Sequence, residues 1–264
     1  MIKLVDKTNE QQFIDFCHTD NIYGTMQYTR YLCYKDYPNT ASFWIAYNND
    51  KVMGSISSLY GSVIISFVND EDVILEMAEF TNHIDVSDLW CDMLFMIFYT
   101  EECASFFKIT EKTMTTSSTM TAVLGCGKLS PVICSANNRL KEVFEVVCQG
   151  YNIMSDNDTY NTWLSNITMK IKRANTEIFA LTQDDKIVCI GIIGYQHNNA
   201  GEISSIITLP EYRGQGFAKE MTSHLAAVLE NEGKQAFLFC ENERLVHFYE
   251  PLGFVRTGRW VRLS

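Results

Sequence analysis

The sequence predicts an α/β (α+β) protein made of two similar lobes in tandem. Apolar residues make up 47% of the 264 residues and charged residues 20%, which allows a packed core. Short apolar runs bounded by turn residues alternate with stretches of helical periodicity, the pattern of an α/β fold. Because the order of helices, hairpin, strand and helix occurs twice, we predict an N-terminal lobe of residues 1–130 and a C-terminal lobe of residues 131–264.

The N-terminal half is assigned from hydrophobic periodicity and turn residues. Two apolar runs joined by Asn48-Asn49-Asp50 predict a hairpin, because these residues suit a tight reversal between antiparallel strands. The predicted elements are helices at 10–17 and 26–34, hairpin strands at 42–47 and 51–56, a strand at 63–67 and a helix at 74–80.

The C-terminal half repeats this order. Leu140, Val143, Phe144 and Val147 share one face of a predicted helix. The predicted elements are helices at 139–148 and 159–171, hairpin strands at 177–182 and 187–195, a third strand at 202–209, a helix from 217 to a cap at Gly233, and a strand at 235–240.

The segment 113–131 is rich in Thr, Ser and Gly, and we interpret it as the approach to the boundary between the lobes. It contains Gly125-Cys126-Gly127-Lys128, which invites comparison with a phosphate-binding P-loop. That motif requires glycine at position 122 and Ser or Thr at position 129, where Ala122 and Leu129 stand. We therefore exclude a P-loop.

Charge and cysteine usage exclude several classes of protein. The formal net charge is −11, whereas a nucleic-acid binder needs a basic face. We interpret the net negative charge as a means of keeping the protein soluble. The alternative is that it reflects a preference for a cationic acceptor. The 9 cysteines form no CxxC pair, so we predict no metal site and the reduced thiols of a cytoplasmic protein. The N-terminus lacks a signal-peptide pattern, and the most apolar stretch, 93–99, is too short to span a membrane.

The loop after the third strand of the second half carries the clearest functional pattern. Arg213, Gly214 and Gly216 lie between a strand that ends at Pro210 and the helix that begins at Phe217. Glycines let the backbone turn tightly and expose its N–H groups, and the helix dipole adds positive potential. The loop therefore suits a pyrophosphate, with charge from Arg213 and Lys219.

This C-terminal half resembles the GNAT superfamily of N-acetyltransferases. The resemblance rests on Arg213-x-x-Gly216-x-Ala218 after a strand, then Asn242 after the next strand, Tyr249 in the following helix, and the turn Leu252-Gly253-Phe254. It extends from about Glu177 to the C-terminus. Gln215 stands where Lys or Arg is frequent in the family, and Phe217 is bulkier than average. The resemblance implies a mixed central sheet flanked by helices.

The resemblance also implies roles for individual residues. Tyr249 would protonate the leaving coenzyme sulfur, against the alternative of a core tyrosine, and Asn242 would contact the pantetheine arm or cap the helix. Glu202 would deprotonate the amine through water, against the alternative of a solvated carboxylate, and His247 would face solvent, pack in the core or act as a base. The residues expected to bind acetyl-CoA through their backbone or charge are Ile207, Thr208, Leu209, Arg213, Gly214, Gln215, Gly216, Phe217, Ala218 and Lys219.

The expected function is acetyl-CoA-dependent transfer of an acetyl group to a primary amine of a small molecule. A non-catalytic acyl-CoA-binding module and a protein or peptide N-acetyltransferase are the alternatives. In the first half, the acidic stretch Asn69–Asp72 stands where a pyrophosphate loop would be, so we expect a GNAT-like lobe that has lost coenzyme binding. Trp44, Tyr60 and Trp90 would line an acceptor wall there or pack in the core.

Overall fold

The structure, a computed structural model, describes residues 1–68, 70–84, 86, 88–92, 114–197 and 199–263. The apolar stretch 93–99, Cys103 and Asn69 lie outside the described residues, as do the side chains of Trp90 and Cys91. The chain divides into two compact units, residues 1–119 with 240–242 and 257–264, and residues 120–239 with 243–256. The boundary predicted between residues 130 and 131 stays a prediction.

The helices and strands largely follow the sequence-based assignment. The helices are α1 (Glu10–Cys17), α2 (Tyr23–Tyr34), α3 (Glu71–Thr81), α4 (Leu140–Tyr151), α5 (Asn157–Ala174), α6 (Phe217–Asn231) and α7 (Glu243–Tyr249). The strands are β1 (Ile2–Leu4), β2 (Ala41–Asn48), β3 (Lys51–Leu59), β4 (Ser62–Phe67), β5 (Asp88–Asp92), β6 (Met114–Ala122), β7 (Ile133–Ser135), β8 (Glu177–Gln183), β9 (Lys186–His197), β10 (Ala200–Thr208), β11 (Gln235–Cys240) and β12 (Phe254–Leu263).

The first unit is built on strands in the order β1-β2-β3-β4-β5-β12. Strands β1 to β4 are antiparallel, and β4 pairs with β5 in parallel. The predicted hairpin is confirmed: Asn49 and Asp50 have φ of 48° and 61°, the left-handed conformations that a tight two-residue turn requires. Helix α3 covers one face of this sheet, where Trp44 packs at the edge of the core.

The second unit contains strands in the order β11-β10-β9-β8-β7. Strands β10 and β11 are parallel, and the other neighbours are antiparallel, so the sheet is mixed. Helices α4 and α5 pack on one face around a core that includes Val143, Ile167 and Ile190. Helix α6 packs closely on the other face. A Cβ at Gly191 or Gly201 would collide with leucine side chains of α6, so glycine at these positions allows the close approach.

The segment 113–131, interpreted as the approach to the boundary between the lobes, begins with a strand that was not among the predicted elements. Residues Met114–Ala122 form strand β6, and Ser117 to Thr121 are buried. Threonine is β-branched and favours strands once its neighbours supply a sheet, so a Thr- and Ser-rich composition does not by itself indicate a loop. The short strands β1 and β7 were also not predicted, because three residues carry too little periodicity.

The segment 123–130 packs along helix α6. The Gly125 N–H donates to Glu230, the Lys128 N–H donates to the Ser223 carbonyl oxygen at 3.0 Å, and the Ser130 N–H donates to Nδ1 of His224 at 3.0 Å. These backbone donors are therefore used within the protein, in agreement with the exclusion of a P-loop.

We expect Gly127→Ala to lower the free energy of unfolding by about 2 kcal/mol, the range of an overpacked core site. A Cβ at this position would collide with the backbone of Ala227 in α6, which cannot move aside as a side chain can. Urea unfolding measures the change, with the exposed neighbour Lys128→Ala as the control. Equal midpoints for Gly127→Ala and the unsubstituted protein would contradict the close approach.

Candidate functional site: the strand opening and glycine loop of the second unit

The parallel strands β10 and β11 pair only over their first residues. Their register joins Ala200 to Gln235, Gly201 to Ala236 and Glu202 to Phe237, and no later pair of these two strands is in register. Both strands continue for several residues beyond this point. The sheet therefore opens toward the carboxyl ends of the parallel pair, the edge where ligands bind in open α/β sheets.

A β-bulge lies in β10 beside this opening. Ser204 pairs with Ile192 and Ile207 pairs with Ile190, so β10 has one residue more than β9 between these two pairs. Ser205 has φ of 51°, an uncommon conformation for a residue other than glycine. Such a bulge bends a strand and redirects its backbone groups.

The end of β10 presents one of its backbone N–H groups toward the opening. The Leu209 N–H donates to the Val188 carbonyl oxygen in β9 at 3.0 Å, so it is already used. Because hydrogen-bonded and non-hydrogen-bonded positions alternate along antiparallel strands, the N–H and carbonyl of Thr208 face away from β9. In agreement, Nε of Arg213 donates to the Thr208 carbonyl oxygen at 3.2 Å.

The loop before α6 exposes a run of unused backbone donors. Gly214 and Gly216 have φ of 78° and 89°, and no side chain caps the helix that follows. The Lys219 N–H donates to the Gly216 carbonyl oxygen at 3.0 Å. For the five N–H groups from Gly214 to Ala218, the described part of the chain contains no acceptor. These donors and the positive end of the helix dipole form a site for an anion.

The charges around this loop leave it positive. Arg213 and Lys219 are exposed, and neither forms an ion pair with a described residue. The two nearby carboxylates have other partners: Glu211 pairs with Lys186 at 2.8 Å, and Glu220 accepts from the Ser130 hydroxyl at 2.6 Å. A phosphate at this loop would therefore meet two cations whose charge is not already neutralised.

The residues after β11 occupy different environments. Asn242 is exposed directly after β11, and Tyr249 is the half-buried last residue of α7. The ring of Tyr249 lies 5.8 Å from that of Phe254, and the turn at residues 250–252 that follows it packs against α6. His247 is exposed and therefore faces solvent, the first of the three interpretations given for it. Its Nδ1 lies 3.2 Å from the Glu250 carboxylate.

Glu202 is buried, with 9% of its surface exposed, so the alternative of a solvated carboxylate does not describe it. Burial raises its pKa to about 7, although the charge of Lys170, the Tyr195 N–H and the Ser204 hydroxyl each act to lower it. A carboxyl group that titrates near pH 7 can accept a proton from an ammonium group under physiological conditions.

The groups that act on Glu202 were not predicted from the sequence, namely Lys170, Tyr195 and Ser204. One signal for them was present, because an isolated glycine inside a strand, here Gly194, suggests a bulge or a close approach. Lys170 lies in helix α5, and no local sequence pattern connects it to Glu202 in strand β10. In the described residues, no group of three or more His, Cys, Asp or Glu side chains could hold a metal ion.

The comparisons with known proteins agree with this geometry. Residues 141–254 match the family model described as "Acetyltransferase (GNAT) family". The chain is 38% identical over 65 residues to N-alpha-acetyltransferase 30 of Schizosaccharomyces pombe, which is 24% of this chain and 43% of the relative. It is 31% identical over 64 residues to glucosamine 6-phosphate N-acetyltransferase of Trypanosoma brucei brucei, which is 24% of this chain and 44% of the relative. The matches thus span less than half the length of either relative.

A solved structure shares the fold over the whole chain. It is described as a tandem GNAT protein from the clavulanic acid biosynthesis pathway, and it superposes with a TM-score of 0.59 at 10% identity, over 100% of this chain and 98% of that chain. The protein therefore has a GNAT fold with two tandem lobes, as predicted. The match to the GNAT family model is confined to residues 141–254. That the first lobe has lost coenzyme binding stays a prediction.

The described residues contain no helix with both the length and the apolar character needed to span a membrane.

Proposed function

We propose that this protein is an N-acetyltransferase that uses acetyl-CoA and transfers the acetyl group to a primary amine of a small molecule. The observation that carries the proposal is the run of five unused N–H groups from Gly214 to Ala218, next to the strand opening and flanked by Arg213 and Lys219. This arrangement suits the pyrophosphate of the coenzyme, and its position lets the rest of the molecule extend along the end of β10.

The remaining site residues supply the chemistry of acetyl transfer. The Thr208 N–H, which faces the opening, would donate to the thioester carbonyl oxygen and stabilise the negative charge that develops there. Glu202 would take a proton from the acceptor ammonium through water, which leaves a neutral amine to attack the carbonyl carbon. As the carbon–sulfur bond breaks, the Tyr249 hydroxyl would protonate the leaving thiolate, and the proton that the attacking nitrogen loses on forming the amide would restore the hydroxyl. The products are an amide and free coenzyme A.

The acceptor is assigned to the class of small amines. The name of the Trypanosoma relative, a glucosamine 6-phosphate N-acetyltransferase, agrees with that class. The name of the Schizosaccharomyces relative, N-alpha-acetyltransferase 30, supports the alternative of a peptide acceptor. A third candidate, a non-catalytic acyl-CoA-binding module, has no use for a buried base such as Glu202.

An amine-panel assay tests the proposal. The full chain is incubated with acetyl-CoA and either small primary amines or peptides with a free N-terminus, and thiol release is followed. We expect release that depends on a small amine. Release with peptides alone would replace the proposed acceptor class, and coenzyme binding without release with any amine would favour the non-catalytic module.

We expect kcat/KM to fall as the pH drops below about 7, because protonated Glu202 cannot accept another proton. Glu202→Gln should remove this limb of the pH profile and lower kcat/KM at pH 8 by roughly 100-fold, the lower end of what a general base contributes, since water alone then takes the proton. A profile unchanged by the substitution would contradict the role of Glu202 as the base.

The same variant should be more stable than the unsubstituted protein. Since the folded-state pKa lies above the ordinary value of 4.5, the buried carboxyl group lowers stability progressively from pH 4.5 to 7, and the loss is complete above pH 7. Glutamine carries no charge, so thermal unfolding at pH 8 should show a gain of about 1–3 kcal/mol for Glu202→Gln. Equal stability at pH 8 would contradict the burial of a charge.

A further inference from the structure

We propose that Lys170 and the bulge at Gly194–Tyr195 form a seat that holds the Glu202 carboxylate in place and negatively charged, with Lys170 as a positioning residue. The inference rests on the proposed role of Glu202 as the base, and it adds residues that the glycine loop does not involve. The seat is built from helix α5 and strands β9 and β10, all within the second unit.

The bulge lies opposite Glu202. Gly201 pairs with Gln196 and Ile203 pairs with Ile193, so the two residues Gly194 and Tyr195 of β9 face the single residue Glu202 of β10. A bulge of this kind turns one backbone N–H out of the ladder. Here the N–H of Tyr195 acts on the Glu202 carboxylate and lowers its pKa. The bulge thus brings a backbone donor of the neighbouring strand to the carboxylate.

Gly194 makes room for the carboxylate. A Cβ at this position would lie 2.7 Å from Oε2 of Glu202, closer than real Cβ atoms approach, and 3.0 Å from Oγ of Ser204, which is tighter than most Cβ contacts. The Ser204 hydroxyl lies beside the same position and acts to lower the pKa of the carboxyl group. Gly194 and Ser204 therefore shape a pocket that fits the charged end of Glu202.

Lys170 supplies the positive charge. Its Nζ lies 4.9 Å from the centroid of the Tyr195 ring, a distance at which a cation is attracted to an aromatic face. This contact orders a long side chain above Tyr195, one of the two bulge residues that face Glu202. Three groups act on the carboxylate: the Tyr195 N–H from β9, the Ser204 hydroxyl from β10, and Lys170 from α5. Of these three, Lys170 carries a charge. Strand β11 contributes the apolar Phe237 in register with Glu202.

The charge of Lys170 matters because a buried carboxylate is strongly disfavoured without a compensating cation. Lys170→Met keeps the length and packing of the side chain and removes the charge. The carboxyl group of Glu202 should then ionise at a higher pH, by about one unit, which is about a tenfold change in its ionisation constant. Lys170→Arg keeps both the charge and the contact with the ring and should restore the original behaviour.

Two readouts separate this inference from the proposed function. The first is a ¹³C NMR titration of the Glu202 side-chain carboxyl carbon in the full chain, assigned by the loss of its signal in Glu202→Gln. We expect the midpoint to rise by about one pH unit in Lys170→Met and to return in Lys170→Arg. The control is Lys172→Met, which removes an exposed charge from the same helix and should leave the midpoint unchanged. Equal midpoints in Lys170→Met and the unsubstituted protein would overturn the inference.

The second readout is the pH dependence of kcat/KM. We expect Lys170→Met to move the acidic limb to higher pH, with a loss of about tenfold at pH 6.5 and little change at pH 9. An equal loss at every pH would mean a structural effect and would overturn the positioning role. If no amine supports thiol release, the proposed function fails, and the NMR midpoints alone decide whether Lys170 keeps Glu202 ionised.

Discussion

Gly216→Asp should weaken binding of acetyl-CoA by on the order of 100-fold or more. The substitution places a carboxylate within the run of N–H groups from Gly214 to Ala218, where the coenzyme pyrophosphate would lie. Two like charges in contact repel each other, and the carboxylate also competes for the same donors. A loss of about 2.7 kcal/mol corresponds to 100-fold in affinity, which is within the range of charge-assisted hydrogen bonds.

The effect on binding must be separated from an effect on folding. Gly216 has φ of 89°, so aspartate is strained there, but a Cβ at this position has open space around it. Gly233→Asp is a matched control, since Gly233 also has positive φ, 73°, and open space, and it lies just beyond the other end of α6. This control carries the same new charge and similar strain. Calorimetric titration should show wild-type affinity for Gly233→Asp.

A charge reversal in the loop side chain tests the same site without touching a glycine. Arg213→Glu should weaken acetyl-CoA binding strongly, whereas Lys172→Glu, an equal change of net charge on the exposed face of α5, should not. If Gly216→Asp and Arg213→Glu both bind acetyl-CoA with unchanged affinity, the loop is not the pyrophosphate site.

Tyr249→Phe should lower turnover by roughly 100-fold and leave the affinity for acetyl-CoA within about twofold, the signature of a lost general acid. The substitution removes one hydroxyl and keeps the ring, which packs against Phe248 and Phe254. The thiolate must then leave unprotonated or take its proton from water. Binding should persist, because the pyrophosphate site lies in the loop before α6.

The measurement is kcat from thiol release, together with calorimetric affinity for acetyl-CoA. Tyr160→Phe is the control, because Tyr160 is another tyrosine of the same unit and its ring packs against Phe144 at 5.1 Å. It should leave kcat unchanged. Equal turnover in Tyr249→Phe and the unsubstituted protein would remove the acid role and would leave Tyr249 as a residue that packs against Phe248 and Phe254.

Local signals in the sequence predicted a large part of the fold. The helix at 10–17 and the strand at 235–240 were assigned with their bounds, and both hairpins were recognised from their turn residues. In each hairpin the two turn residues adopt positive φ, a conformation that Asn and Asp tolerate. Strand β6 was missed because its Thr and Ser residues become strand-forming only when neighbouring strands bury them.

The candidate site, like the fold, was predicted only in part from the sequence. Glycines at positions that need positive φ, followed by a helix, form a pattern within a dozen residues, so the sequence by itself determined where the anion-binding loop lies. It also determined the order of loop, Asn242 and Tyr249 that led to the family.

Only the tertiary structure decided the state of Glu202. Its burial, the bulge opposite it and the approach of Lys170 join residues that are 32 positions apart at the extremes, on a helix and two strands. The tertiary structure also decided that the Leu209 N–H is used by Val188, which leaves that of Thr208 toward the opening. Backbone conformation follows from neighbouring residues, whereas desolvation and hydrogen-bond pairing depend on which distant residues pack together.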